Sequence, residues 1–232
     1  MRYALIFFCL VACLIGVALQ TGGWGWMLVW PAFSAALIAV GYAGLGARVF
    51  GKRRNGRYSV WAMVIHWPYL ISTLGVWYLI RWTIAENPAD EVAPGIFVAR
   101  RPLHFEVPPN IRWIIDVTAE FWVAARVKSG RQYVCYPTLD GHVSDDASFI
   151  AVVQEVAQLD GPILIHCAQG HGRSAALAVA VMMTRGDANS IEEVEKRLLA
   201  ARPKIGLKTS QRALLKRVAA ELQAPIEAAP PA

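Results

Sequence analysis

No aspartate or glutamate occurs before Glu86 in this chain of 232 residues. A water-exposed surface carries acids as well as bases, so the first third is not read as part of a soluble domain. Charge is scarce throughout, at 17% against 56% hydrophobic residues, a balance that leans towards membrane. The seven basic residues of the first 82 positions are Arg2, Arg48, Lys52, Arg53, Arg54, Arg57 and Arg81. They account for the formal net charge of +6, because sixteen basic and seventeen acidic residues nearly cancel beyond them. A near-neutral remainder removes the electrostatic case for a nucleic-acid partner. Of only four cysteines, Cys9 and Cys13 fall inside an apolar run, so no disulfide framework is expected. No ligand cluster has metal-site spacing, and neither a metal nor a cofactor is expected.

What fills the first third is apolar. Runs at 3–19, 24–45 and 60–80 each approach the ~20 residues that cross a hydrocarbon core. Seven of the nine tryptophans lie in residues 1–82, and Trp24, Trp26, Trp61, Trp77 and Trp82 cluster near the ends of the second and third runs, as in an interfacial belt. Residues 1–82 are therefore expected to be a membrane region of about three spans. His66, inside the third run, is expected to be a neutral ring hydrogen-bonded between helices. The loop "GARVFGKRRNGRYS" carries five basic residues and no acid, which puts it in the cytoplasm. Three crossings would then leave everything after Trp82 on the non-cytoplasmic side.

Residues 83–94, with "AENPADEVAP", read as a polar linker, 95–222 as one domain with its own core, and 223–232 as a frayed tail. In the domain, short apolar runs at 95–99, 113–117, 132–136 and 163–165 predict strands. Helical spacing follows at 145–159, capped by Ser144 or Asp145, and a helix apolar all round is predicted at 174–184. Ser190 and Glu193 mark the start of a helix that must end near Arg202-Pro203, and a last helix is predicted at 210–222. Alternation of strands and helices predicts an α/β fold, with a central mainly parallel sheet flanked by helices.

"LIHCAQGHGRSAAL" joins the buried strand at 163–165 to the buried helix at 174–184. Such a junction aims several backbone N–H groups and the positive end of a helix dipole at one point. Gly170 and Gly172 allow the loop to curl. The same field stabilises a thiolate at Cys167, and Arg173 adds a planar fork for two phosphate oxygens. A thiolate and an anion cradle at one spot describe a phosphate-binding nucleophile.

"HCAQGHGRS" resembles the signature of the protein tyrosine phosphatase superfamily, His-Cys-x-x-Gly-x-Gly-Arg-Ser, at every specified position. The domain is similar to the dual-specificity branch, and the apolar runs lie outside that resemblance. The resemblance implies that Cys167 attacks phosphorus and that Arg173, with the loop amides of Ala168, Gln169, Gly170, His171 and Gly172, holds the phosphate oxygens. It implies that Ser174 helps the sulfur leave and that His166 braces the loop. It also implies an upstream aspartate that protonates the leaving oxygen. Asp140 in "YPTLDGHVSDD" is the first candidate, followed by a glycine that permits a mobile loop. Asp145 and Asp146 are rivals at a position where a helix cap is wanted. Asp116 ends a strand and resembles a structural position of the family, and is read as a turn former rather than a catalyst; Gln211 is read either as a guide for water or as a surface helix residue, and Cys135 as a buried thiol that in some relatives would pair with the nucleophile.

Ala168, Gln169 and His171 bring no lysine to the loop, which argues against a highly charged head group. The expected function is a membrane-anchored dual-specificity protein phosphatase working through a cysteinyl-phosphate. A phospholipid head group is the alternative substrate, and an inactive phosphate-binding module the alternative role. The anchor is expected to act through local concentration, leaving turnover of a soluble aryl phosphate unaffected by its removal.

Overall fold

The computed structural model describes residues 2–142, 145–188 and 190–223. Three helices are long and apolar enough to cross a membrane, and they match the three apolar runs. Helix α1 spans Arg2–Thr21. The second run is less regular. A 3-10 segment at Gly23–Leu28 leads into α2 (Val29–Val40), which is followed by a wider turn at Gly41–Leu45, broken at Gly44, and by a 3-10 segment at Gly46–Phe50. Helix α3, Val60–Thr83, keeps its helical path through Pro68. His66 is buried there, its ring 3.0 Å from the Ser34 hydroxyl and 3.0 Å from the Val49 carbonyl, the interhelical role expected of it.

The chain divides into two units. The first joins the N-terminal helices, through Glu86, to two short segments from far along the chain, Thr118–Val123 and Pro137–His142. Its core gathers Ile38, Val49, Phe50 and Leu70 with Ala119 and Leu139. Lys52 donates to the Thr118 carbonyl at 2.7 Å, and the Tyr58 hydroxyl donates to the Ala119 carbonyl. The ring of Trp67 stacks on Trp122, and Trp77 meets Phe121 edge-on.

The second unit holds the α/β fold. Five strands, β1 (Ala89–Ala93), β2 (Ile96–Ala99), β3 (Trp113–Thr118), β4 (Gln132–Thr138) and β5 (Ile163–His166), lie in the order β1-β2-β5-β3-β4. Strand β5 is central and runs parallel to β2 and β3, while β1 runs antiparallel to β2. Strand β1 falls inside the stretch read as a linker, because its "ADEVA" sequence is too polar to announce a strand. The central strands are continuous apolar runs because both faces are covered.

The helices are α4 (Asp146–Ala157), α5 (Arg173–Arg185), α6 (Ile191–Ala201) and α7 (Thr209–Leu222). Helix α5 is buried from Arg173 to Met183, as its all-round apolarity requires. The Asp145 carboxylate accepts from the Ser148 amide and Ser190 from the Glu193 amide, so both predicted caps form. The other cap candidate, Ser144, and the tail from residue 224 lie outside the described residues.

Candidate active site

Strand β5 ends at His166 and α5 begins at Arg173, so the loop between them is fixed at both ends by buried elements. Gly170 has φ +79, and a Cβ there would lie 2.7 Å from the Ala99 carbon and the Arg100 nitrogen. Only glycine fits that approach to the end of β2. Gly172, with φ −118, needs no left-handed backbone.

The loop's carbonyls are tied outward. That of Ala168 accepts from the Arg101 amide at 3.1 Å, and that of His171 from the Gly206 amide at 3.0 Å. The Gln169 carbonyl accepts from the Arg202 guanidinium at 3.1 Å. Three of the loop's carbonyls are thus engaged by groups outside the loop.

Cys167 is 4% exposed. Its sulfur receives the Gly170 amide at 3.2 Å and the Ser174 hydroxyl at 3.3 Å. Burial pushes the thiol up, but the nearby Arg173 charge, the Ser174 hydroxyl and the amides of Ser174 and Gly170 outweigh it. The net result is a thiol held below its ordinary value. Arg173, on the first turn of α5, is buried as well. The structure thus brings Arg173, Ser174 and the Gly170 amide together at Cys167.

His166 Nδ1 lies 3.4 Å from the Cys167 carbonyl, and its Nε2 lies 3.9 Å from Asp116. Asp116 is not at a turn. It is buried in β3, directly opposite His166 in the strand register, and accepts the Tyr133 hydroxyl at 2.6 Å. Burial, then the Asp116 charge, push the Tyr133 phenol far up, so it stays a donor. The turn-former reading of Asp116 is corrected, because a local reading could not see partners that come from other strands.

The candidate acids separate. Asp145 caps α4, and Asp146 pairs with Arg217 at 2.6 Å, which lowers its carboxyl. Asp140 is exposed and belongs to the first unit, whereas Cys167 and Arg173 belong to the second. Gln211 is buried beside Gly172, its carbonyl oxygen taking the Lys208 amide at 2.9 Å, so it is not a surface residue. Cys135 and Cys167 are both buried, and neither is in a disulfide. Among the described residues no three His, Cys, Asp or Glu side chains are grouped to hold a metal ion.

One residue that sequence reasoning passed over is Arg202, 1% exposed. Besides the Gln169 carbonyl it holds Asp90 at 2.7 Å and the Asn87 carbonyl at 2.8 Å, bracing the phosphate loop against β1. The signal was an arginine directly before a proline where a helix ends, which was used only to place that end.

Residues 103–219 match the family model described as the dual specificity phosphatase catalytic domain, about half of the chain. None of the curated proteins matches the chain. Among solved structures, human DUSP28 aligns with a TM-score of 0.51 at 20% identity, covering 60% of this chain and 98% of that one. The human tyrosine phosphatase-like serine/threonine/tyrosine-interacting protein aligns at 0.52 and 20% identity, covering 60% and 99%. PTPMT1 in complex with PI(5)P aligns at 0.50 and 20% identity, covering 58% and 96%. At these identities the neighbours speak for the α/β fold, and the family model for the kind of enzyme. The chain belongs to the dual-specificity phosphatase catalytic-domain family, cysteine-based enzymes that act on phosphomonoesters.

Proposed function

We propose that this phosphatase works through a cysteinyl-phosphate on Cys167. The observation that carries the reading is the sulfur itself, buried, held by the Gly170 amide and the Ser174 hydroxyl, and kept below the ordinary thiol value beside Arg173. The thiolate attacks phosphorus, and the S–P bond forms as the bond to the leaving oxygen breaks. Arg173 and the loop amides carry the charge on the equatorial oxygens. Asp140 gives its proton to the leaving oxygen. Water then attacks phosphorus and gives its proton to the Asp140 carboxylate, the S–P bond breaks, and the Ser174 hydroxyl hydrogen-bonds the departing thiolate. Asp145 has a structural role as a helix cap and Asp146 one in an ion pair with Arg217. Cys167→Ser should abolish turnover of a small aryl phosphate while preserving phosphate binding. Undiminished turnover would overturn the mechanism, and a wild type that binds phosphate without turnover would favour the inactive binding module.

For the substrate, the leading reading is a phosphoprotein, the alternative a phospholipid with a single phosphomonoester. The second is favoured by the apolar faces of α1, α2 and α3, and the absence of lysine among Ala168, Gln169 and His171 limits it to a head group of low charge. The solved PTPMT1 complex holds a phosphoinositide in a related fold. Full-length enzyme in vesicles, offered phosphopeptides in solution and phospholipids in the same bilayer, separates the two by rate.

Three apolar helices suggest membrane insertion. We propose further that α1 and the second apolar segment, Gly23–Phe50 with α2 at its centre, cross as a hairpin while α3 lies along the interface. Lys52 and Tyr58, in the basic loop, bond to Thr118 and Ala119, and bonded partners share one face of a bilayer. Helix α3 is the least apolar of the three and exposes Trp61, Trp67 and Trp82, side chains that favour the head-group level. With the basic loop inside, Thr118 and the chain around it are cytoplasmic, which differs from the three-crossing expectation. A reporter enzyme fused after Leu222 should be active in its cytoplasmic form. Activity only in its exported form would restore three crossings.

A further inference from the structure

The proposed acid, Asp140, sits in a segment anchored on both sides of its own peptide. Leu139, immediately before it, is 2% exposed and lies in the cluster with Ile38, Val49, Phe50 and Leu70. The carbonyl of Asp140 itself accepts the Tyr42 hydroxyl at 3.0 Å. Tyr42 follows α2 in the broken turn Gly41–Leu45, and its ring is not loose. It stacks on Tyr3 at 5.2 Å and on Phe7 at 5.8 Å, both from α1. After the acid, Gly141 turns the chain with φ +68, and the His142 amide returns to the Leu139 carbonyl at 3.2 Å. All of these contacts lie within the first unit.

We infer that Tyr42 is a positioning residue for catalysis, tying the acid loop to the membrane helices. The inference rests on the reading of Asp140 as the acid. A backbone held by a buried side chain at one residue and by a hydroxyl at the next has little freedom left in the peptide between them. The direction in which the Asp140 carboxyl projects is then set by Tyr42 and Leu139. A glycine-hinged loop free to move, the sequence expectation, is hinged on its far side only. The N-terminal helices therefore do more than concentrate the enzyme near membrane substrates. They hold one of its proton-transfer groups, and turnover of a soluble phosphate depends on them.

The test uses the full chain in detergent micelles and a series of aryl phosphates running from good to poor leaving groups. Only poor leaving groups need the proton, so the dependence of kcat on leaving-group pKa reports the acid. Tyr42→Phe keeps the ring stacks and removes one hydroxyl. It should lower kcat on the poorest leaving group by about 3–10-fold, the worth of one hydrogen bond, with kcat on the best one and KM unchanged. Leu139→Ala should steepen the dependence further. In an Asp140→Asn background Tyr42→Phe should have no added effect, because the group it positions is gone. Unchanged slopes in Tyr42→Phe and Leu139→Ala, beside a steepened slope in Asp140→Asn, would overturn the positioning role and leave the acid standing. A steepened slope in Leu139→Ala alone would overturn the assignment to Tyr42. Equal losses on good and poor leaving groups in Asp140→Asn would remove the acid itself, and the inference with it.

Discussion

Arg202→Met tests whether the phosphate loop is held from outside. The guanidinium is 1% exposed and serves three acceptors, the Asp90 carboxylate, the Asn87 carbonyl and the Gln169 carbonyl. Methionine fills much of the same volume, so the cost is electrostatic rather than steric. Breaking a buried ion pair by removing one partner costs about 3–5 kcal/mol, because the other charge stays behind uncompensated. The Asp90 side chain keeps 13% of its exposure, so water can reach it and the lower end, about 3 kcal/mol, applies. The orphaned Gln169 carbonyl adds about 1 kcal/mol. At about 2–4 °C per kcal/mol for a domain of this size, Tm should fall by on the order of 10 °C by calorimetry. The functional readout is separate. With its carbonyl released, Gln169 no longer holds the loop open, and inhibition by inorganic phosphate should weaken several-fold in enzyme still folded at the assay temperature. Asp90→Asn strands the Arg202 charge, and so also costs stability, but it keeps the Arg202 contact to the Gln169 carbonyl and should weaken phosphate inhibition less. A Tm within about 2 °C of wild type, with unchanged phosphate inhibition, would refute the bracing role.

Three further outcomes follow from the same geometry. Gly170→Ala forces a Cβ to 2.7 Å from the Ala99 and Arg100 backbone and should sharply reduce both kcat and phosphate affinity, whereas Gly172→Ala, facing only the Gln211 side chain, should be milder. Alkylation of Cys167 should gain rate with pH through a midpoint below that of a free thiol, about 8.5, because the folded site favours the charged form. Ser174→Ala removes one donor to the sulfur and should move that midpoint upward, and an unmoved midpoint would take Ser174 out of the thiolate's support. Asp116→Asn should leave Tyr133 bonded while weakening the hold on His166, lowering kcat more than KM in steady-state assays.

The features legible in the sequence are local. Strand β5, the loop and α5 are contiguous, so one stretch of residues carries a buried strand, a phosphate cradle and a buried helix in order. The caps at Asp145 and Ser190 are local for the same reason. What stayed hidden depends on distant partners. Strand β1 is polar because it is an edge strand whose Asp90 meets Arg202, more than a hundred residues away. Asp116 reads as a turn residue until β3 and β5 are laid side by side. The return of Thr118–Val123 and Pro137–His142 to the N-terminal helices leaves no periodic signal, since each segment is too short to show one. The second apolar run reads as one span, and the glycines at 41, 44 and 46 break it after α2.

Acid quenching during the first turnover of an aryl phosphate, followed by peptide mass spectrometry, tests the proposed chemistry most directly. A cysteinyl-phosphate mechanism predicts one phosphate on the peptide carrying Cys167, stabilised when water attack is slowed and absent from Cys167→Ser. Phosphate on any other side chain, or turnover with no phosphorylated enzyme at any quench time, would contradict it.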